Sequence, residues 1–534
     1  SLGNFVDDFI GGSPGGISKQ FGNPTITPNI TMYAPYIQDT YRVKENLTLT
    51  AGLRYEYWGT LGNTLQFPAI QQGLGFGVAG ATFPNSFGAS QQPNTNNFGP
   101  RLGFAYTPHW GERFFGHDAT VIRGGYGIFY DGLFTNIVDN TAAASPNATG
   151  ANILGQSPAT RNQGNAMATL AAITATPDPL STIETMKSNL KNPMTQQWNL
   201  DVQRELPGKL IVTAAYVGTR GERLFVNQDF NPGIGYDQNL NVILQNPNFG
   251  EILVRTNGAN SWYNAAQFEV ERRFHTDLTI RGSYTFSKFL DDGSEVFTTT
   301  TSGLSSFSQV LTNQLSDWGA STYDRRHRGV ISYVWALPRA RANFIERALT
   351  DRWQWSGIAT FDSGSPDSPF DGFDNIGNNH PNGRPNLSNP NAPLTSTGAD
   401  STVVNVLTGS NLAPGTYPIG PCFFGTPGNC APAPNSAFRY IIPAFPAVAP
   451  GNAGRNSIYG PGQWFYDTSI SRRFPIPMRR LENQAIEFRT EFFDAFNHAN
   501  LFTPSFNLLS SQYDNTAATV AGGRTIKFWL KYEF

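Results

Sequence analysis

The sequence has no run of about 18 apolar residues, so it offers no transmembrane helix. Charge is scarce: only 14% of residues are Asp, Glu, Lys or Arg, and the formal net charge of -2 argues against a nucleic-acid partner. Cysteine is nearly missing. Cys422 and Cys430 lie in one loop-like stretch. They read either as a metal or redox pair or, more simply, as a loop-closing disulfide in an oxidising compartment. No histidine lies close enough to them in sequence to suggest zinc, and no cofactor motif is present. Gly124-Gly125-Tyr126-Gly127 is no phosphate loop, because no helical pattern follows it. Glycine there reads instead as a bend or close approach in a strand. The chain starts at Ser1 without Met, a basic segment or an apolar segment, so no signal peptide is read in these residues. An exported protein would therefore be expected to have been processed or truncated.

Aromatics and glycine are plentiful, at 13% aromatic residues and 54 glycines. At 534 residues the chain exceeds one ordinary soluble core but suits one large barrel. The organising pattern is Leu47–Tyr57. Leu47, Leu49, Ala51, Leu53, Tyr55 and Tyr57 fall on one parity; Thr48, Thr50, Gly52, Arg54 and Glu56 fall on the other. Successive side chains of a strand point to opposite faces, so this is a ribbon with one apolar and one polar side. About ten such residues span a bilayer when tilted.

The pattern recurs, predicting strands at Thr31–Val43, Leu47–Trp58, Phe98–Thr107, Thr120–Asp131, Gln196–Leu206, Leu210–Thr219, Tyr263–Phe274, Leu278–Phe289, Arg325–Leu337, Trp353–Asp362, Gln463–Phe474, Ala485–Phe496 and Arg524–Phe534. Their connections alternate short and long. Long loops kept to one end are the mark of an outer-membrane barrel, with short periplasmic turns and long extracellular loops. The parity then requires one further strand before Thr31, for which residues 1–10 are the candidate, giving about fourteen. The expected fold is all-β: an antiparallel up-and-down transmembrane β-barrel with long extracellular loops and a periplasmic C-terminus.

Charges on one parity must avoid lipid, where Arg or Lys at the midplane costs about 2–4 kcal/mol. Arg54, Glu56, Arg101, Glu269, Glu271, Arg273, Arg281, Arg489 and Glu491 are therefore expected to face a wet or protein-filled lumen. Val330 and Val334 share the parity of Arg328 and Ser332, suggesting that part of that wall touches packed protein. The other candidates carry bland alternatives. Asp291, Asp292 and Glu295 read as a calcium-type cluster or as solvated loop charge. Arg325, Arg326, His327 and Arg328 read as an anion grip or as structural rim pairing, and His327 has no nucleophile motif beside it. Trp58, Tyr130, Trp335, Trp355 and Trp529 read as an interface girdle. Trp262 and Trp464, beside long loops, are the candidates for stacking on a ligand.

The stretch YAPYIQDTYRVKENLTLTAGLRYEYW resembles the barrel segment of TonB-dependent outer-membrane receptors. NFGPRLGFAYTP, TVIRGGYGIFYDG, QQWNLDVQRELPG, AAYVGTRGERL, YTFSKFLDD, YDRRHRGVISY, GPGQWFYDTSISRRF and EFRTEFFDAFNHANL are similar, in order, to successive strands of the Oar-like branch. The terminal KFWLKYEF, with Phe528, Leu530, Tyr532 and Phe534, resembles the signal read by the barrel assembly machinery. The resemblance implies a 22-stranded barrel, of which this chain matches roughly the last fourteen strands, plugged by an N-terminal domain. It implies energised uptake of a scarce ligand (siderophore, oligosaccharide or peptide) through a TonB complex, in a membrane rich in lipopolysaccharide. It implies no enzyme. The plug, the TonB-interaction box and the regulatory-like N-terminal domain of the branch have no counterpart in these residues. A passive porin and an adhesive surface protein are the rival readings.

Overall fold

The computed structural model describes residues 16–22, 29–60, 92–144, 148–154, 180–295, 307–338, 353–399, 438–443, 449–476, 484–508 and 518–533, apart from positions 188, 240, 275, 276, 312, 372, 373, 375, 381, 395, 396, 505 and 521. Its dominant element is one antiparallel sheet. Thirteen strands follow one another in chain order: β1 (Tyr36–Lys44), β2 (Leu47–Tyr55), β3 (Phe98–Tyr106), β4 (Thr120–Tyr130), β5 (Met194–Leu206), β6 (Leu210–Asp229), β7 (Ile252–Phe274), β8 (Leu278–Asp291), β9 (His327–Ala336), β10 (Trp353–Asp362), β11 (Gln463–Pro475), β12 (Ala485–Phe493) and β13 (Thr525–Glu533). All thirteen segments expected from alternation are present. The fourteenth, in residues 1–10, lies outside the described residues. So do Cys422, Cys430 and Phe534.

The register carries one set of faces from strand to strand. Arg54 stands opposite Gly99 and Gly52 opposite Arg101; Arg101 faces Gly127, and Arg123 faces Asp201. The same face continues through Thr213 and Glu269, Glu271 and Arg281, Arg328 and Asp362, and Glu491 and Lys527. The opposite face carries Leu53, Leu102, Leu200, Tyr216, Phe268, Tyr284, Ile331, Phe361, Ile470 and Phe528. These are exposed, to 51% for Phe268 and 71% for Phe528. An apolar surface carried across thirteen strands is far too large for an ordinary soluble face. A one-residue slip anywhere would swap the faces, so the alternation itself fixes the register.

The turns at the short end are tight. Between β5 and β6, Gly208 and Lys209 take φ of 84° and 58°, left-handed values that glycine adopts without a Cβ penalty. At the other end the structure departs from the sequence expectation in several places: β1 begins at Tyr36 rather than Thr31, and β2 ends at Tyr55 rather than Trp58. β6 and β7 overrun their expected bounds, continuing to Asp229 and starting at Ile252, and they stay paired over most of that overrun. Residues 16–22, outside every expected strand, form a strand paired with Ala148–Leu154 rather than with the main sheet. β12 stops at Phe493, three residues short, where Asp494 takes a φ of 47° and its amide donates to Asp467.

The buried apolar core is not under the sheet but among the long connections. One cluster joins Leu133, Ile137 and Val138 of a short helix region to Met186, Leu190 and Phe225. A second joins Tyr440, Ile442, Ala453, Ile458, Phe506 and Leu508. The described parts of the long connections are therefore packed into a cap at one end of the sheet, where long extracellular loops were expected.

Candidate functional site

Two surfaces stand out: the polar face of the sheet and the cap above its long-connection end. On the polar face, Arg54 Nε lies 2.5 Å from Glu56 Oε1, and Arg489 Nε lies 2.9 Å from Glu491 Oε1. Arg281 Nη2 reaches Glu269 Oε2 at 2.7 Å, while Glu271 stands directly opposite Arg281 and Arg273 opposite Thr279. Arg101 lies over the Phe129 ring, 4.7 Å from its centroid. All nine charges expected on that face share it by register or by parity, and six of them are in ion pairs, two along a strand and one across the β7–β8 ladder. Val330 and Val334 are also there, opposite Ser283 and Thr279.

Trp262 and Trp464 lie on the apolar parity. Trp262 is opposite Arg220 and Leu290, with the Arg220 guanidinium 5.3 Å from its ring centroid. Trp464 stacks on His498 with centroids 4.5 Å apart and stands opposite Phe361. Phe528, Leu530 and Tyr532 line the apolar face of β13 opposite Thr490, Phe488 and Ile486.

The acidic pair Asp291 and Asp292 is neither solvated nor an open cluster. Both are buried. Arg455 binds the Asp291 carboxylate and donates to Asp317 O at 2.7 Å, while Asp292 accepts from the Asn260 amide at 2.7 Å. Burial pushes the Asp292 carboxyl up. Glu295 instead accepts from the Tyr323 hydroxyl at 2.7 Å. The cations at the start of β9 are paired: Arg326 with Asp324 at 3.2 Å and Arg328 with Asp362 at 3.7 Å. His327 Nδ1 sits 2.6 Å from the Tyr284 hydroxyl.

The cap holds one constellation that sequence spacing did not announce. Asp229 ends β6, Glu251 immediately precedes β7, and His380 lies early in the long connection between β10 and β11. His380 Nε2 is 3.2 Å from Asp229 Oδ2, and His380 Nδ1 is 3.6 Å from Glu251 Oε1. Burial pushes the Glu251 carboxyl up; His380 opposes this and Asp229 adds to it. Only the scarcity of histidine, six in the chain, could have drawn attention to His380.

The chain belongs to the outer membrane beta barrel domain family, whose profile matches residues 2–527. The class expected from the alternation and the strand motifs is thereby upheld. No curated protein matches the chain significantly. Among solved structures, the chain is similar to the outer membrane transporter YddB from Escherichia coli, at 11% identity and a TM-score of 0.45, over 94% of this chain and 44% of that one. It is similar to the FrpB iron transporter from Neisseria meningitidis, at 8% identity and a TM-score of 0.42, over 94% and 45%. A third is the siderophore receptor PirA from Acinetobacter baumannii, at 10% identity and a TM-score of 0.40, over 94% and 46%. The chain spans less than half the length of these solved structures.

Proposed function

We propose that the chain forms the membrane wall and outer cap of a TonB-coupled receptor of the Oar-like branch, which takes up a siderophore, oligosaccharide or peptide. The observation that carries this reading is the polar face held in register across all thirteen strands, backed by an exposed apolar face. A wall that is charged on one side and apolar on the other suits a transmembrane barrel with a polar lumen, and the lateral ion pairs on that wall leave a surface on which a plug can pack. In this reading Arg54, Glu56, Arg101, Glu269, Glu271, Arg273, Arg281, Arg489 and Glu491 border the plug. The folded cap faces the exterior and chooses the ligand. Trp262 and Trp464 stand at the rim, where they anchor the lipopolysaccharide interface and border the ligand-choosing connections. The C-terminal strand ends in the periplasm and carries the assembly signal.

The native protein, purified from outer membranes and placed in planar bilayers, is expected to show no persistent open-channel conductance. It is also expected to capture the purified periplasmic domain of TonB. A large steady conductance without capture would instead identify a passive porin. Loss of cell attachment on deleting the connection 363–462, with neither other property, would identify an adhesin.

A further inference from the structure

Asp229, Glu251 and His380 present one donor atom each within 4.8 Å of one another. They are the one group of three or more such side chains among the described residues, and each is held in place by bonds that leave a donor free to point inward. Asp229 uses Oδ1 for structure: it accepts the Ile252 amide at 3.1 Å and the Asn231 amide at 2.8 Å. Its Oδ2 is the atom turned toward His380. Glu251 accepts from the Thr182 hydroxyl through Oε2 at 3.3 Å, leaving Oε1 toward the ring. His380 rides on a turn wound around Asp374, whose carboxylate accepts the amides of Gly377 at 2.8 Å, Asn378 at 3.0 Å and Asn379 at 2.6 Å. That turn is docked against the connection after β6 through Gly233 and Gly235, whose amides donate to Asn378 O and Gly377 O, each at 3.1 Å. Phe307 stacks on the imidazole at 4.2 Å between centroids and 24° between planes, closing one face to water.

The spacing and chemistry suit a cation. Donors about 2.1 Å from a shared zinc sit roughly 3–3.5 Å apart; His380 can give one cation only one of its nitrogens, and through Nε2 it stands 3.2 Å from Asp229 Oδ2, with one donor atom of each of the three residues within 4.8 Å of the others. One imidazole with two carboxylates fits a borderline metal better than calcium, which takes oxygen alone. Carboxylates that are themselves hydrogen-bonded, and an apolar ring beside the ligands, are the outer shell such sites use.

We infer that Asp229, Glu251 and His380 form a binding site for a divalent transition cation of the zinc class. The site lies where four separate connections meet: Thr182 comes from the one before β5, Glu251 from the one before β7, Phe307 from the one before β9 and His380 from the one before β11. A cation there ties the cap together independently of what the protein transports. The competing arrangement is an imidazolium paired to two carboxylates with no metal, and it predicts no metal uptake.

The test titrates the purified, chelator-stripped full chain in detergent with zinc chloride, in competition with a chromophoric chelator, and in parallel with calcium chloride. One zinc per chain is expected. Zinc affinity should fall at least tenfold in Glu251→Gln and become undetectable in His380→Gln, and zinc should protect the connection 363–462 from protease in the parent only. If His380→Gln loses its heat-modifiable band on gels, Glu251, whose side chain is 22% exposed, decides the matter alone. No zinc uptake by the parent overturns the site, as does uptake unchanged in Glu251→Gln. Calcium binding without zinc binding overturns it too.

Discussion

Arg281 reaches diagonally across the β7–β8 ladder, past its direct partner Glu271, to set Nη2 2.7 Å from Oε2 of Glu269. Both groups remain partly exposed, so the pair adds at most about 1 kcal/mol. Its value is positional, since it marks the polar face. Glu269→Leu should therefore change stability by less than about 1 kcal/mol. Val270→Arg, one residue on and facing the other way, should cost about 2–4 kcal/mol. Urea unfolding of protein folded into lipid vesicles measures both, and equal costs would sink the assignment of faces.

Gly218 lies beneath the indole of Trp198, its directly paired neighbour on β5. A Cβ at that position would come within 2.2 Å of the ring. The ring can escape only by leaving its place on the apolar face. Gly218→Val is expected to destabilise the wall by roughly 1–3 kcal/mol and to shift Trp198 fluorescence. Gly282, with nothing within 4 Å of an added Cβ, is the control: Gly282→Val should be far milder. Similar losses at both would show that crowding is not the cause.

Arg455 is bound to the buried Asp291 and also donates to Ser294 at 3.1 Å. Removing the cation strands a carboxylate in the cap, a change that costs about 3–5 kcal/mol in buried pairs. Arg455→Ala should open the cap to protease at low concentration while the heat-modifiable band of the sheet survives. An unchanged digestion pattern would mean that Asp291 finds water or another partner.

Asp367 sits in a small ladder opposite Ile458, and burial pushes its carboxyl up to about 7, opposed by the Ser368 amide. Its folded value lies above the ordinary 3.8. Between those values the folded chain holds a proton that the unfolded chain has released. The stabilising contribution is complete below about pH 4, declines as pH rises toward 7 and is flat beyond. Its full span is roughly 4 kcal/mol. Asp367→Asn should flatten that part of a melting-temperature profile against pH and raise stability at pH 8. A profile with the same slope in the variant would remove Asp367 from the explanation.

The wall was legible because a bilayer enforces strict alternation, and Leu278, Ile280, Tyr284 and Phe286 state it plainly. The overruns of β6 and β7 were not. In Gly221–Asp229 and Ile252–Ser261 residues of both parities are buried, Phe225 and Val226 among them, so hydrophobicity no longer alternates though the ladder continues. The Asp229, Glu251 and His380 constellation was hidden for a different reason. Its members lie on three parts of the chain, so no spacing motif exists to read. The parity of Trp262 and Trp464 was available from Phe268 and Ile470, two strands' worth of pattern that already sets both indoles on the apolar side.

The meander also makes evolutionary change anisotropic. Along the wall each strand pairs with its chain neighbours, and only Ile183–Met186, parallel on β7, and Gly319–Ala320, on β8, join the described sheet from outside that order, so a connection can grow without reordering the wall. Doubling the stretch 363–462 would add about 0.6 kcal/mol of closure entropy. A single residue inserted within β10 would instead turn every side chain beyond it to the wrong medium. A lineage can therefore lengthen the connections between the cap's buried clusters far more readily than the strands beneath it.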